Sequence, residues 1–353
     1  MIPFLNLPFE LRARIIEHVL YTPLSPPLIP LQSERIKDND RRSMVWVNSD
    51  GITYYNQQSK PSPLNCLPLL LINHQILTET RVILERRKVN YILDISVKND
   101  LHLSLTWLSV PCLTTHISTL RANVRLFGHI IDKRTIQSQL GDGGRLGFHW
   151  SFYAALEQFL RYGPVRELNR GKEDELSESH RPTKKYKDRE VMIDTLVLDF
   201  QSAEFGISFP PDDVTYKVWW NRHWGIDRQD RSETSETLSS HKTRPEWLCK
   251  YLEGWICGLL DMSYHTSKFG QPLYEHIGTI RMLVDGQLHC ELDLAAWLAG
   301  LRFTDPTSTM GHLPTDDRLS EFWKWKKETL LRREAQGLPV IWPSDDEIGR
   351  REM

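Results

Sequence analysis

The glycine-rich stretch Gly141-Asp142-Gly143-Gly144-Arg145-Leu146-Gly147 is where backbone amides could cradle a phosphate, since a helix follows it. Its spacing matches no dinucleotide fingerprint and no strand precedes it, so a helix connector is the expectation and a nucleotide or small-molecule enzyme a distant alternative. His289 and Cys290, with His265 and His276 near them in sequence, offer the nitrogen and thiolate donors that zinc binds. Adjacent strand residues point to opposite faces, which predicts a core cysteine and a surface histidine instead. Gly-x-Ser-x-Gly, Gly-Lys-Ser/Thr and His-Glu-x-x-His do not occur. No catalytic residue, metal or cofactor is assigned.

Recognition chemistry is better represented than catalysis. Tyr216, Trp219, Trp220, Arg222, His223 and Trp224 form the densest aromatic and basic cluster, the composition of interaction hot spots. They are the candidate target-binding residues, with packing beneath a loop as the plainer reading. Lys184-Lys185-Tyr186-Lys187 and Lys324 to Lys327 around Trp325 are expected to be solvated charge. Across all 353 residues, 44 Lys and Arg face 46 Asp and Glu, giving a net charge of -2 that predicts no nucleic-acid partner. The five scattered cysteines form no C-x-x-C pair or disulfide framework, so reduced thiols in the cytosol or nucleus are expected. The N-terminus lacks a basic leader region, and Pro68, Asn73, His74, Pro111 and His116 interrupt the two long uncharged stretches; neither secretion nor a membrane span is expected.

The elements that must position these residues predict an α+β fold. Pro8 falls in the first turn of a helix running to about Leu20, with Leu11, Ile15, Val19, Ile16 and Leu20 as an apolar stripe opposite Arg12, Arg14 and Glu17. Met44 to Val47, the Asp50-Gly51 turn and Ile52 to Tyr55 read as an inserted hairpin. After Pro68 a second helix follows, with Leu70, Leu71, Ile76, Thr80, Ile83 and Leu84 inward and Glu79, Arg81, Glu85 and Arg86 outward; a strand over 89–97 comes next. Ile117-Ser-Thr-Leu120, Ile193-Asp-Thr-Leu196 and Ile277-Gly-Thr-Ile280 each open a strand. Helical stretches over 149–162 and 245–260 separate them, so they are expected to be neighbours in a mixed, partly parallel sheet with crossover helices, irregular and weakly leucine-rich-repeat-like. Asp285-Gly286 predicts a hairpin back from the third. Thr315 is expected to cap a last helix ending at Gly337. The domains expected are an N-terminal helical module over 1–97 and a sheet-and-helix interaction domain over 98–342 with mobile loops near 166–190 and 227–244, then a frayed tail over 343–353.

Leu7-Pro8-Phe9-Glu10-Leu11-Arg12, continued by Leu69-Leu-Leu-Ile72-Asn73-His74-Gln75-Ile76-Leu77-Thr78-Glu79, resembles the two halves of the F-box-like module of large fungal protein families. The resemblance implies a protein-protein interaction module that docks on a Skp-type adaptor of a cullin-RING ubiquitin ligase, while the rest of the chain selects a protein target. Carried over by position, it implies adaptor contacts from Leu7, Pro8, Leu11 and Ile15, with Leu71 and Ile72 from the second helix. A pseudo-F-box scaffold of the same fold, without a ligase role, is the alternative. About 45 residues, including the hairpin, separate the halves, and His74 stands where the family pattern has Arg.

Overall fold

The three Ile-x-Thr segments become adjacent parallel strands in matching register. Thr119 pairs with Thr195 and Thr195 with Thr279; one residue on, Leu120, Leu196 and Ile280 line up in the same way. The computed structural model describes residues 3–28, 52–53, 64–99, 102–128, 148–164, 190–202, 209–210, 213–218, 243–263 and 266–343. Its helices are α1 (Phe9–Tyr21), α2 (Cys66–Leu70), α3 (His74–Arg86), α4 (Phe148–Tyr162), α5 (Pro245–Leu260), α6 (Ser267–His276), α7 (Leu294–Gly300) and α8 (Arg318–Ala335). The strands are β1 (Ile52–Thr53), β2 (Asn90–Lys98), β3 (His102–Ser109), β4 (His116–Phe127), β5 (Met192–Ser202), β6 (Ile277–Val284) and β7 (Gln287–Asp293), in one sheet of order β1-β3-β2-β4-β5-β6-β7.

The sheet is mixed. β2, β4, β5 and β6 run parallel, while β3 and β7 are antiparallel to their neighbours. Asp285 (φ 48°) and Gly286 (φ 79°) both adopt the left-handed conformation that a tight hairpin turn between β6 and β7 requires. Ile52 and Thr53 do not form a free-standing hairpin: they pair in parallel with Leu103 and Ser104, at the sheet's edge. Met44 to Val47, on the expected partner strand, lie outside the described residues, as do nearly all of 166–190 and 227–244.

Crossovers that step the same way along a sheet with one hand put their helices on one face. Accordingly Phe152, Leu156 and Phe159 of α4 and Leu248, Leu252 and Ile256 of α5 share a core with Leu120, Ala122, Val124, Leu196, Leu198, Phe200, Ile280 and Met282. The alternating positions on the opposite face are mostly polar, with Arg121, Asn123 and Arg125 on β4, Asp199 and Gln201 on β5 and Arg281 on β6, beside Val197 and Leu283. Asp94 and Asp199 are fully buried there beneath guanidiniums. Arg125 holds Asp94 and Ser96, and Arg121 lies 2.5 Å from Asp199.

A second, smaller core joins Ile16 and Leu20 of α1 to Cys66 and Leu69 of α2 and Ile76 and Ile83 of α3. Backbone hydrogen bonds anchor this module to the sheet end: Leu24 N–H to the Leu108 carbonyl (2.9 Å) and Asn65 N–H to that of Val110 (3.0 Å). Pro8 caps α1 rather than occupying its first turn, and the last helix starts at Arg318, three residues beyond Thr315. Gly337 (φ 77°) follows its end, as a helix stop requires. Lys326, in the basic run expected to be solvated, is instead buried, and its ammonium donates to the carbonyls of Ala299 (3.1 Å) and Leu301 (2.8 Å) at the end of α7. Among the described residues, no helix is long and apolar enough to cross a membrane.

Candidate docking site

Helix α1 has apolar residues over more than half its circumference, and the fold uses only part of them. Ile16 (1% exposed) and Leu20 (0%) turn inward, whereas Leu11 (47%), Ile15 (43%) and Val19 (47%), spaced at i, i+4 and i+8, form one outward stripe. The inner side is completed by a charge. Arg12, expected to be outward, is buried and grips Glu79 of α3 through Nε (3.2 and 3.1 Å) and Nη2 (2.5 Å), while Nη1 donates to the carbonyls of Leu5 and Leu7. Glu79, likewise expected outward, also accepts from Gln75 Nε2 at 3.1 Å. The Arg12 hydrogen bonds hold the Glu79 carboxyl below the usual carboxylate range and push the guanidinium up. Arg12 is therefore the bolt between the two helices, and it turns Leu11 and Ile15 away from the core.

The six residues carried over from the resemblance fare differently. Leu11 and Ile15 are exposed, as are Pro8, Leu71 (74%) and Ile72 (60%), whereas Leu7 is half-buried. Leu71, expected inward, lies in the turn between α2 and α3, where Asn73 caps α3 by accepting from Ile76 N–H at 2.9 Å. Leu5, Phe9 and Leu67 of the same module are also exposed and were not picked out from sequence, and Val19 was read as part of the stripe but not as an adaptor contact. Their signal was present in the surplus of apolar residues over what three short helices can bury.

Of the aromatic cluster, Tyr216 alone lies among the described residues. It is half-buried against the main core with the Lys250 ammonium 5.2 Å from its ring centroid, and burial pushes its hydroxyl up to about 12. Trp219, Trp220, Arg222, His223 and Trp224 lie outside, as does the Gly141–Gly147 loop.

His289 departs from the alternation rule. The register slips between Met282 and Leu283, so Cys290 pairs with Met282 and Leu288 with Leu283, leaving His289 as the extra residue of a β-bulge. Both His289 Nε2 (3.2 Å) and the Cys290 thiol then reach Glu253 of α5. Among the described residues, no group of three or more His, Cys, Asp and Glu side chains is placed to hold a metal ion. One hydroxyl-imidazole contact, Ser267 Oγ to His312 Nδ1 at 2.6 Å, has the types needed for nucleophilic chemistry, but Ser267 is fully buried and closed to a substrate.

What the exposed α1 stripe can do is bury apolar surface against another polypeptide. Comparison with protein-family models, curated proteins and solved structures found no match for the chain.

Proposed function

We propose that this chain is an F-box-like protein-protein interaction module, whose α1 stripe docks a Skp-type adaptor and whose sheet domain, including the Tyr216 region, meets a protein target. The mechanism is tethering: two proteins are held near each other, and no bond is made by the chain itself. One observation carries the reading. Leu11, Ile15 and Val19 stand outward in a row while the residue next to Ile15 is wholly buried, so the helix has two apolar sides and the fold occupies one. Leu71 and Ile72 add exposed apolar surface from the second half of the motif. Contiguous exposed apolar surface of this kind marks a binding face.

The test is titration calorimetry of the full chain with a purified fungal Skp-type adaptor. Replacing Leu11, Ile15 and Val19 together by Ala removes eight carbons that are about half exposed, so at ~0.8 kcal/mol per buried carbon the affinity loss is about 3 kcal/mol, roughly 100-fold. The variant stays folded, with a melting temperature at most a few degrees lower, since the fold covers only about half of this face. A wild-type chain that fails to bind ends the ligase reading and leaves the scaffold alternative.

A further inference from the structure

We propose that Cys66 and Cys112 form a redox-convertible pair, and that oxidation by a small disulfide such as glutathione disulfide joins them, bolting the α1–α3 module to the sheet. Both are free thiols in this structure. Leu64 and Val110 form a parallel bridge, and two residues further along each chain stand Cys66 and Cys112. Cys66 N–H donates to the Pro111 carbonyl at 3.1 Å, one peptide unit from Cys112. That hydrogen bond, one covalent bond from the Cys66 Cα and one peptide unit from the Cys112 Cα, holds the two Cα atoms roughly 5–7 Å apart, overlapping the roughly 4.4–6.8 Å that a disulfide spans. Both side chains enter the same small core, and a negative charge on one sulfur is felt by the other.

The backbone holding them is rigid on both sides. Asn65 Nδ2 donates to the Leu20 carbonyl at 2.6 Å, while the Tyr91 hydroxyl donates to the Cys112 carbonyl at 2.6 Å and accepts from Thr114 N–H at 3.2 Å. The other three thiols are less suited. Burial first, and then Cys290 for Cys249 and Glu253 for Cys257 and Cys290, disfavours their thiolates.

The step balances. One thiolate attacks glutathione disulfide and releases one glutathione; the second attacks the protein sulfur of the mixed disulfide and releases another. Two protein thiols are thus oxidised by two electrons, and one glutathione disulfide is reduced to two glutathiones. Burial pushes both thiols up, Cys112 to about 11, so the reaction is slow at neutral pH and quickens about tenfold per pH unit between pH 7 and 9.

The experiment treats the reduced full chain with glutathione disulfide at pH 8.5, counts thiols after denaturation and maps linked peptides by mass spectrometry. The expected result is a fall from five thiols to three, a Cys66–Cys112 peptide, and a melting temperature several degrees higher that reverts with dithiothreitol. Cys66→Ala and Cys112→Ala each gain a glutathione adduct and no internal link. Five persisting thiols, separate adducts on Cys66 and Cys112, or a link between any other pair, Cys257 and Cys290 included, would overturn the proposal. None of these outcomes depends on adaptor binding.

Discussion

Arg333 offers the sharpest test of how this fold is held together. It lies fully buried on α8, with no carboxylate among the described residues in hydrogen-bond contact. Its guanidinium donates instead to the carbonyls of Tyr274 and Ile277 (2.8 Å) at the end of α6, and to that of Pro339 (3.0 Å) in the segment after α8. Lys326, seven residues earlier on the same helix face, does the same for α7, so α8 is a clasp that places one cation at the carboxyl end of each of two helices. Burial pushes the Arg333 guanidinium down from its ordinary range to about 10, a penalty of roughly 3 kcal/mol. Arg333→Met relieves that penalty but strips three carbonyls of a charged donor, at about 1.5–3 kcal/mol each. The net loss is about 1.5–6 kcal/mol, or roughly 2–8 °C in melting temperature for a chain of this length. Buried ion pairs can be replaced by apolar residues without loss when both partners go, but backbone carbonyls cannot be removed with the arginine. Urea unfolding followed by tryptophan fluorescence reads the effect directly. An Arg333→Met midpoint equal to or above wild type would refute the claim that the clasp stabilises the helix ends.

Three further outcomes follow from the same coordinates. Ile16→Ala should cost about 2–4 kcal/mol, whereas its neighbour Ile15→Ala should change stability by less than about 0.5 kcal/mol, both read by urea titration; equal effects would mean that α1 is rotated from the orientation described. His149, packed against Trp150, Tyr251 and Trp255 with Nδ1 in contact with the Tyr251 hydroxyl, has its imidazole pushed down by burial from 6.5 to about 4. The unfolded chain therefore takes up this proton first, so the contribution is complete above about pH 6.5 and is lost as pH falls toward 4, by at most about 3 kcal/mol. His149→Phe should remove that slope from a stability-versus-pH curve. At Gly278 an added Cβ would sit 2.4 Å from the Asp194 carbonyl oxygen, so Gly278→Ala must push β6 off β5 and lower the melting temperature by several degrees; an unchanged melt would contradict the close approach.

Regularity decided what could be read from the amino-acid order. The Ile-x-Thr segments, their intervening helices and the Asp285-Gly286 turn were legible because period-two alternation and turn chemistry are local properties. Arg12, Glu79 and Lys326 were assigned to solvent because charge outside is the rule for isolated side chains, and Arg333 drew no reading at all. Each is buried by a partner that the local pattern cannot reveal. Glu79 is 67 positions from Arg12, and the partners of Lys326 and Arg333 are carbonyls, which every residue has. His289 is exposed and Cys290 packs against the core, as read, but that both reach Glu253 was not legible, because a bulge shifts the alternation by one and nothing in Leu288-His289-Cys290 announces it. At the candidate site the residues were legible but their direction was not. A stripe wide enough to cover two sides of a helix does not say which side the fold takes, and Arg12 makes that choice.

The two halves of the N-terminal motif are separated by residues 22–65, yet they meet as one unit. Arg12 and Glu79 join α1 to α3, Arg87 joins the end of α3 to Glu17 at 2.9 Å, and Asn65 Nδ2 reaches the last turn of α1 at Leu20. Three contacts spread along α1, near its start, middle and end, fix its rotation about its own axis as well as its position. A helix held only by Ile16 and Leu20 could roll Leu11, Ile15 and Val19 toward the core and hide them. With Arg12 and Glu17 both tied, that roll would break a buried ion pair before any apolar surface was covered. The outward stripe is thus a consequence of polar contacts on the inner side, and a partner docking as proposed would meet a surface already set in place, with little ordering cost left for binding.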